Sequence, residues 1–362
     1  MSVFARRMQR VMQPQPAKIV AAYYTGYSRA SSGVGNTSIA NLNWQSFSHI
    51  IDFSVGIDNG HISATWLPNG ASSYAGNSWN AGQATTLCST AASNNRKVLL
   101  GIGGGSTSDS WNANLDTPFK RAQIIADICT LMTTHGYNGV DLDGEPGYLI
   151  TNYRTFWQEL LAEFNYQGWR TPGDPNYKYI SIALFGSETA LAKNAVLDGV
   201  DWVGAMLYSP YETTSRHLSP LTGSGDPWDS WVSAWTTGTN AIPSNKVLPG
   251  FSYYAYSWDN TTGPNQVGTQ MHTAYYWKTV EPHIGGVTAP NATWYSPAMM
   301  HGMFISSGWF SFETDASIQA KADWVTSNNC GGVIIWPYQM GSMDGVSHPL
   351  ANSVQTYFGP LM

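Results

Sequence analysis

Carboxylic acids stand at every second position in the stretch 139–145 (GVDLDGE), at Asp141, Asp143 and Glu145. Side chains two residues apart in an extended strand point to the same face, so this stretch predicts three carboxyls on one side of a strand. Like charges at close range in a partly desolvated site raise at least one pKa. A carboxyl that keeps its proton near neutral pH can serve as a general acid. Glu145 comes last in the row, nearest the exposed end of the strand, and we predict that it is this acid.

Two other interpretations of the acidic stretch are a calcium loop and a solvated turn. An EF-hand loop requires a third ligand before its glycine and a glutamate further on, and neither is present here. A coincidental group of acids on a solvated turn stays open from these residues alone. We predict that the chain holds no metal.

A glycine run at 101–105 (GIGGG) follows a β-branched segment. A nucleotide site would need a Lys-Ser/Thr pair after the glycines and a second phosphate-binding element, and the sequence has neither. Glycines after a strand also let backbone or ligand approach closely, and we prefer this use. The sequence therefore predicts no cofactor.

The composition is rich in aromatic residues and poor in charge. The 362 residues include 16 Trp and 20 Tyr, while only 11% are charged. Aromatic rings stack well on the flat C–H faces of sugars, and their structural alternative is core packing. A net charge of −6 without a basic stripe argues against nucleic acid and anionic membrane as partners. No apolar run approaches the length of a membrane span.

The N-terminus and the cysteines indicate little about function. Residues 1–18 carry three arginines without the apolar middle of a signal peptide, which predicts a tail or the remnant of a processed leader. Cys88, Cys129 and Cys330 are odd in number and lack metal-ligand spacing. Buried free thiols are favoured over a disulfide between Cys88 and Cys129.

Strand and helix signals alternate along the chain. Helices are predicted at 81–95, from 116 or 117 to Gly136, around 156–164 and at 317–328, the second and third of them with an apolar stripe at helical spacing. The predicted strands are 19–24, 49–55, 97–103, the acidic stretch, 179–185, 202–207, 246–254 and 332–336. Eight strands alternating with helices predict a TIM (β/α)8 barrel of the α/β class, in which chemistry sits at the carboxyl ends of the strands.

The predicted domain organisation is a tail followed by one catalytic domain, residues 19–362. Residues 257–310 exceed an ordinary loop between strands 7 and 8. They are rich in Trp, Tyr, Gly and Pro. We expect them to be an insertion that forms one wall of a cleft.

With these pieces placed, the sequence resembles the chitinases of glycoside hydrolase family 18. Asp141, Asp143 and Glu145 match the last three acids of that family's D-G-x-D-x-D-x-E signature. Further matches occur in the right order along the chain: Ala22-Tyr23-Tyr24, Phe53, 97–104 (similar to S-x-G-G), Met206-Leu207-Tyr208 (similar to M-x-Y-D), 249–258 (PGFSYYAYSW) and 317–336. The likeness spans nearly the whole barrel.

Four positions depart from the family pattern. Asn138 stands where the first acid is usual, Gly101 replaces a serine, Gly144 an aromatic residue, and Ser209 the aspartate that follows Tyr208. In the family that aspartate helps to bind the sugar and to tune the acid. Since the other acids remain, we expect activity with a shifted pH optimum.

The resemblance implies a chitinase that hydrolyses β-1,4-linked N-acetylglucosamine polymers and oligomers with retention, by substrate-assisted catalysis. Glu145 would protonate the glycosidic oxygen, and Asp143 would orient the attacking acetamide. Tyr208 would hydrogen-bond the acetamide oxygen, and Asp141 would share a proton with Asp143. The implied substrate-binding residues are Trp336 as the floor under the sugar, with Tyr23, Phe53, Met206, Tyr254 and Gly104.

Structural alternatives accompany these roles: strand-end packing for Tyr208, a buried structural acid for Asp141 and a core ring for Trp336. Two alternative functions also stay open, an endo-β-N-acetylglucosaminidase acting on N-glycans and a non-catalytic chitinase-like lectin. The presence of Glu145 argues against the lectin. The expected partners are chitin or chitooligosaccharides, and we expect a secreted, extracellular monomer.

Overall fold

The computed structural model describes residues 18–29, 32–63, 79–105, 108–145, 150–208, 212–223, 225–269, 273–359 and 361. The strands of the first half are β1 (Ile19–Thr25), β2 (His49–Asp58), β3 (His61–Ser63), β4 (Lys97–Gly103), β5 (Gly139–Asp143), β6 (Tyr179–Phe185) and β7 (Trp202–Met206). The second half supplies β8 (Val247–Ser252), β9 (Tyr254–Asp259), β10 (Thr273–Tyr276), β11 (Thr293–Tyr295), β12 (Met300–Ile305), β13 (Gly308–Phe312) and β14 (Gly332–Trp336).

Eight of these strands close into a parallel barrel. The neighbours follow the order β1, β2, β4, β5, β6, β7, β8 and β14, and β14 pairs with β1 to complete the circle. The predicted TIM (β/α)8 barrel is confirmed. The carboxyl ends of all eight strands therefore meet at one rim, which is where barrel enzymes place their chemistry.

Helices cover the outside of the barrel. They are α1 (Ala81–Ser93), α2 (Ser108–Leu115), α3 (Pro118–His135), α4 (Tyr153–Tyr166), α5 (Thr189–Asp198), α6 (Trp228–Thr236), α7 (Trp277–Ile284), α8 (Asp315–Ser327) and α9 (Pro349–Phe358). α3 shows how closely the sequence determines these bounds. The Thr117 side chain accepts a hydrogen bond from the Lys120 backbone N–H, Pro118 occupies the first turn, and Gly136 ends the helix at φ 86°.

A second, antiparallel sheet is built from strands within residues 254–312, which include the stretch 257–310 predicted as an insertion. Its five strands follow the order β10, β9, β13, β12 and β11. That the stretch 257–310 forms one wall of a cleft stays a prediction. The sequence prediction ran strand 7 of the barrel through residue 254, and this is wrong. The barrel strand β8 ends at Ser252, and Tyr254 begins β9, because the chain leaves the barrel there to pair with β13.

Helix α2 and the short β3 had no clear sequence signal, and the acidic strand β5 ends at Asp143 rather than Glu145. Cys88, Cys129 and Cys330 are free thiols, as favoured, although Cys129 is only half-buried. Among the described helices, none combines the length and apolar character needed to cross a membrane.

The side chains inside the barrel include several residues that the sequence analysis predicted to bind substrate. Tyr23, Phe53 and Met206 are buried in one cluster inside the barrel, and Tyr208 and Trp336 pack against it while half-exposed. A separate, larger core lies between the barrel wall and the helices. The interior cluster thus reaches the rim where β5 ends.

Candidate active site

Asp141 lies deepest of the three acids and has two hydroxyl partners. The Tyr23 hydroxyl donates to Oδ2 at 2.8 Å, and the Ser181 hydroxyl donates to Oδ1. Ser181 reaches it because β5 and β6 are paired with Asp141 opposite Ser181. Burial raises the pKa of Asp141 to about 6, and the two donors act in the opposite direction. The predicted proton sharing with Asp143 stays a prediction.

Asp143 is buried, at 4% exposure. Its Oδ1 is without a hydrogen-bond partner among the described residues. Burial raises the pKa of Asp143 well above its usual range, and the neighbouring Glu145, Asp141 and Glu188 raise it further. A buried carboxyl in this state favours its protonated form, and an amide group of a substrate could supply the missing hydrogen bond.

Glu145 lies two residues beyond the end of β5 and is half-buried. Burial, and then the nearby charge of Glu188, raise its pKa to about 7. The sequence analysis expected strand alternation to align Glu145 with Asp143. The strand stops before Glu145, yet the two carboxyls interact electrostatically, so they lie in one cluster. A carboxyl with a pKa near neutrality has the property required of a general acid.

Glu188 is an acid that the sequence analysis missed. It is 5% exposed, and its Oε2 accepts a hydrogen bond from the Phe185 backbone N–H at 2.8 Å. It stands in a loop after β6, with no motif around it, so only the fold brings it to Glu145. Ser181 was missed for a related reason, although one small polar residue inside an otherwise apolar strand is a usable signal.

The aromatic residues predicted to bind the substrate form one group of edge-on contacts. The ring centroids of Tyr23 and Phe53 are 5.4 Å apart, those of Tyr23 and Trp336 5.5 Å, and those of Phe53 and Trp336 4.9 Å. Trp336 is the half-exposed member of this group, so it is the ring that a ligand at the rim could reach. Tyr254 packs in a neighbouring cluster that also contacts Trp336.

Tyr208 stands at the end of β7 beside the acids. Burial raises the pKa of its hydroxyl well above the usual value, and the nearby Tyr254, Asp143 and Glu145 add to this. The hydroxyl therefore stays a hydrogen-bond donor across the physiological pH range. Gly250 makes room for the ring, since a Cβ there would lie 2.7 Å from a ring carbon of Tyr208.

The glycine run packs against the site. A Cβ on Gly104 would come within 2.7 Å of the Phe53 ring, and one on Gly103 within 2.1 Å of the Asp143 carbonyl oxygen. The Gly104 N–H donates to that carbonyl oxygen at 2.7 Å. These contacts support the interpretation of close backbone approach. Gly104 thus supports Phe53 and the end of β5.

Three of the four departures from the family pattern have local explanations. A side chain at Gly101 would meet the Phe53 ring at 2.9 Å. The space beside Gly144 is filled by Ile150 and Tyr153, at 2.6 and 3.0 Å from an added Cβ. The Asn138 side chain accepts the Val98 backbone N–H at 2.9 Å and so ties β5 to β4. Ser209 lies outside the described residues.

The closed barrel, with carboxylates where β5 ends, places the chain in the class of (β/α)8 proteins that carry a polar site at the carboxyl rim of the barrel. The model of glycosyl hydrolases family 18 matches residues 19–341. The chain therefore belongs to this family, and the resemblance seen in its motifs is confirmed.

Three known proteins illustrate the similarity. A class V chitinase of Arabidopsis thaliana is 23% identical over 287 residues, which cover 69% of this chain and 71% of the relative. A chitinase from Cycas revoluta, solved in complex with (GlcNAc)3, superposes with a TM-score of 0.76 at 17% identity, over 94% of this chain and 100% of that one. A chitinase-like agglutinin from Robinia pseudoacacia has a TM-score of 0.74 at 20% identity, over 94% and 99%.

The share of the relative's length that this chain covers differs between the comparisons. The chain spans about half or less of the length of several other curated relatives that it matches. At such identities the solved structures show the fold alone. Family membership is therefore established, while the activity rests on the residues of this chain.

Proposed function

We propose that this protein is a chitinase that hydrolyses β-1,4-linked N-acetylglucosamine polymers and oligomers with retention of configuration, through substrate-assisted catalysis. The observation that carries the proposal is that two neighbouring carboxyls, Glu145 and Asp143, differ in burial. Glu145 is half-buried at the rim with a pKa raised to about 7, and Asp143 is buried beside it with an unpartnered oxygen. One group can donate a proton while the other receives a substrate hydrogen bond.

In this mechanism Glu145 gives its proton to the glycosidic oxygen as the bond to the anomeric carbon breaks. The acetamido carbonyl oxygen of the same sugar attacks that carbon and closes an oxazolinium ring. Water then opens the ring, and Glu145 takes the proton from that water, which restores the acid. Two displacements at the same carbon give net retention.

The remaining residues act on the acetamide. Asp143 passes its proton to Asp141, accepts the hydrogen bond of the acetamide N–H and, as a carboxylate, stabilises the positive charge that develops there. The Tyr208 hydroxyl donates to the carbonyl oxygen and orients it for attack. Asp141, whose carboxylate accepts the Tyr23 hydroxyl, shares a proton with Asp143 and so sets the charge of Asp143. Trp336 supports the sugar ring from below, with Tyr23, Phe53, Met206 and Tyr254 around it.

A non-catalytic lectin is the second candidate, because a chitinase-like agglutinin has the same fold. Glu145 in a state suited to proton donation favours the enzyme. An endo-β-N-acetylglucosaminidase acting on N-glycans is the third candidate.

Chitin or its oligomers are the proposed ligands, and we propose a monomer that acts outside the cell.

The test is incubation of the purified protein with N-acetylglucosamine hexamer, with products and their anomers resolved by chromatography and NMR. We expect shorter oligomers released first as β-anomers. Glu145→Gln should lower turnover by roughly 10²- to 10⁴-fold while binding of the hexamer is kept. Asp323→Asn, at an exposed position of α8, is the control and should keep wild-type turnover.

The other outcomes separate the candidates. Binding of the hexamer without turnover by the wild-type protein would establish the lectin. Release of glycans from a high-mannose glycoprotein, with no cleavage of the hexamer, would establish the N-glycan enzyme. Near wild-type turnover by Glu145→Gln would exclude Glu145 as the acid.

A further inference from the structure

Gly144 joins the buried Asp143 to the candidate acid Glu145, and the space beside it is already filled. A Cβ added to Gly144 would lie 2.6 Å from Cδ1 of Ile150, and 3.0 and 3.2 Å from Cζ and the hydroxyl oxygen of Tyr153. The tip of the Tyr153 ring therefore occupies the place where a side chain at position 144 would begin. The backbone between the two acids packs directly against this ring.

Tyr153 is held in place by two tryptophan rings. It is 1% exposed at the start of α4, and its ring meets those of Trp111 on α2 and Trp157 on α4 edge-on, with centroids 5.2 Å apart in both pairs. Trp157 is itself fixed, because its indole N–H donates to Asp198 at 2.9 Å. Edge-to-face pairs of this kind favour one ring orientation. The ring that packs against Gly144 therefore has little freedom to move.

A second contact holds the same segment from the side of β4. The Gly104 backbone N–H donates to the Asp143 carbonyl oxygen at 2.7 Å. Trp111 reaches this side as well, since a Cβ on Gly103 would lie 3.0 Å from its ring. One tryptophan thus packs against both the end of β4 and Tyr153. The chain that leaves β5 is therefore held between β4 and α4.

The hydroxyl of Tyr153 matters less than its ring. Its oxygen is buried and makes no hydrogen bond of ordinary geometry among the described residues. Burial, and then the charge of Asp143, raise the pKa of this hydroxyl well above its usual value, while the Gly144 backbone opposes the rise. What Tyr153 supplies to this contact is the shape of its ring, which phenylalanine shares.

We propose that Tyr153 is a positioning residue for Glu145: its ring packs against Gly144 and sets the direction in which the chain carries the acid away from β5. Gly144 is the matching half of this contact, since a larger residue would need the space of the ring. The consequence for turnover rests on the proposed function. The consequence for the position of the Glu145 carboxyl does not.

The decisive variants are Tyr153→Leu and Tyr153→Phe. Leucine removes the ring tip that meets Gly144, whereas phenylalanine keeps it. With N-acetylglucosamine hexamer we expect Tyr153→Leu to lower kcat roughly 10- to 100-fold with little change in KM, because a displaced proton donor affects the reaction more than binding. Tyr153→Phe should keep the wild-type kcat. Wild-type kcat in Tyr153→Leu, or an equal loss in Tyr153→Phe, overturns the proposal.

Phe164→Leu is the matched control, because it removes a buried ring from the other end of the same helix. Phe164 is 0% exposed and packs edge-on against Trp169, with centroids 5.2 Å apart. Phe164→Leu should lose stability in denaturant unfolding much as Tyr153→Leu does, yet keep the wild-type kcat where both variants are fully folded. An equal loss of kcat in both means that α4 is loosened in general, and the proposal is then wrong.

A further pair of variants tests the shared space. Gly144 does not have a positive φ, so alanine adds only the Cβ that meets Ile150 and Tyr153. We expect Gly144→Ala to lower kcat. The double variant Gly144→Ala with Tyr153→Leu should turn over faster than the product of the two single losses predicts, because leucine vacates the ring tip. Independent losses that simply multiply would contradict contact between the two residues.

The position of Glu145 can be followed without turnover. Burial is the main cause that raises its pKa from 4.5 to about 7, so a displaced, better hydrated carboxyl should titrate at lower pH. The midpoint is measured by NMR in protein labelled with ¹³C at glutamate side chains, with the signal assigned by its loss in Glu145→Gln. We expect a lower midpoint in Tyr153→Leu and the wild-type midpoint in Tyr153→Phe and Phe164→Leu.

An unchanged Glu145 midpoint in Tyr153→Leu overturns the proposal. Absence of turnover in the wild type defeats the proposed function alone, since the titration still decides the role of Tyr153.

Discussion

The hydroxyl of Tyr23 donates a hydrogen bond of 2.8 Å to Oδ2 of Asp141, across 118 residues of sequence. The two side chains point into the barrel from β1 and β5, which are not neighbours in the sheet. The contact therefore crosses the barrel interior. It links the aromatic cluster around Trp336 to the deepest acid of the site.

Tyr23→Phe should weaken both the fold and the site. It removes a donor from a buried carboxylate, which costs roughly 1–3 kcal/mol, and the pKa of Asp141 should rise above about 6 because one opposing donor is lost. Denaturant unfolding and hexamer kcat/KM measure the two effects. Tyr24→Phe is the control, since the Tyr24 hydroxyl donates to the Thr37 carbonyl oxygen. Equal loss of activity in both variants would contradict a specific role for Tyr23.

Glu145→Gln should stabilise the protein at alkaline pH but not at acid pH. The pKa of Glu145 is raised in the folded state from 4.5 to about 7, so the folded state holds the proton more tightly than the unfolded chain does. Wild-type stability therefore falls as pH rises from about 4.5 to 7, and this loss is absent from the glutamine variant.

Thermal unfolding at pH 4 and at pH 8 checks the sign of this effect. We expect similar Tm values at pH 4, and at pH 8 a Tm higher by roughly 2–4 °C in Glu145→Gln. A lower Tm of the variant at pH 8 would show that ionised Glu145 is favoured by the fold, contrary to its raised pKa.

Gly103→Ala should disturb the end of β5. Gly103 has φ +105°, and an added Cβ would lie 2.1 Å from the Asp143 carbonyl oxygen. We expect a destabilisation of about 2 kcal/mol or more, with a large loss of turnover because Asp143 must move. Gly105→Ala is the matched control, since nothing lies within 4 Å of its added Cβ. Equal stability of the two variants in denaturant unfolding would refute the close-approach interpretation.

Lys321→Met should be strongly destabilising. Lys321 on α8 is fully buried, and its Nζ lies 3.0 Å from Glu313, which follows β13 and also accepts from the Ser219 and Ser317 hydroxyls. Losing the lysine leaves a buried carboxylate without its counter-ion, at a cost of about 3–5 kcal/mol.

The double variant Glu313→Gln with Lys321→Met should recover part of this loss, because no charge is then left buried. Denaturant unfolding of the wild type, both single variants and the double variant measures the coupling. Strictly additive losses would indicate that the pair contributes no interaction energy.

Local sequence patterns predicted the barrel. The error lies where the chain passes from the barrel sheet to the second sheet. Strands such as 97–103 carry β-branched runs, and α3 has its cap, proline and terminal glycine in sequence. The end of barrel strand 7 was predicted wrongly at Ser252–Tyr254, because local patterns do not distinguish β8 from β9. Both β8 and β9 favour extended backbone, and only pairing with β14 or with β13 separates them.

By itself the sequence determined the alternation of eight strands with helices, the acids Asp141 and Asp143 of β5 with Glu145 just after it, and the aromatic residues of the barrel interior, because these depend on residue type and short spacing. Tertiary structure alone decided that Tyr23 and Ser181 hold Asp141 and that the charge of Glu188 acts on Glu145. Such contacts join residues from different strands, and strand closure brings them together at one rim. A pKa depends on burial and nearby charge, so the protonation of the candidate acid follows from that closure and not from the motif.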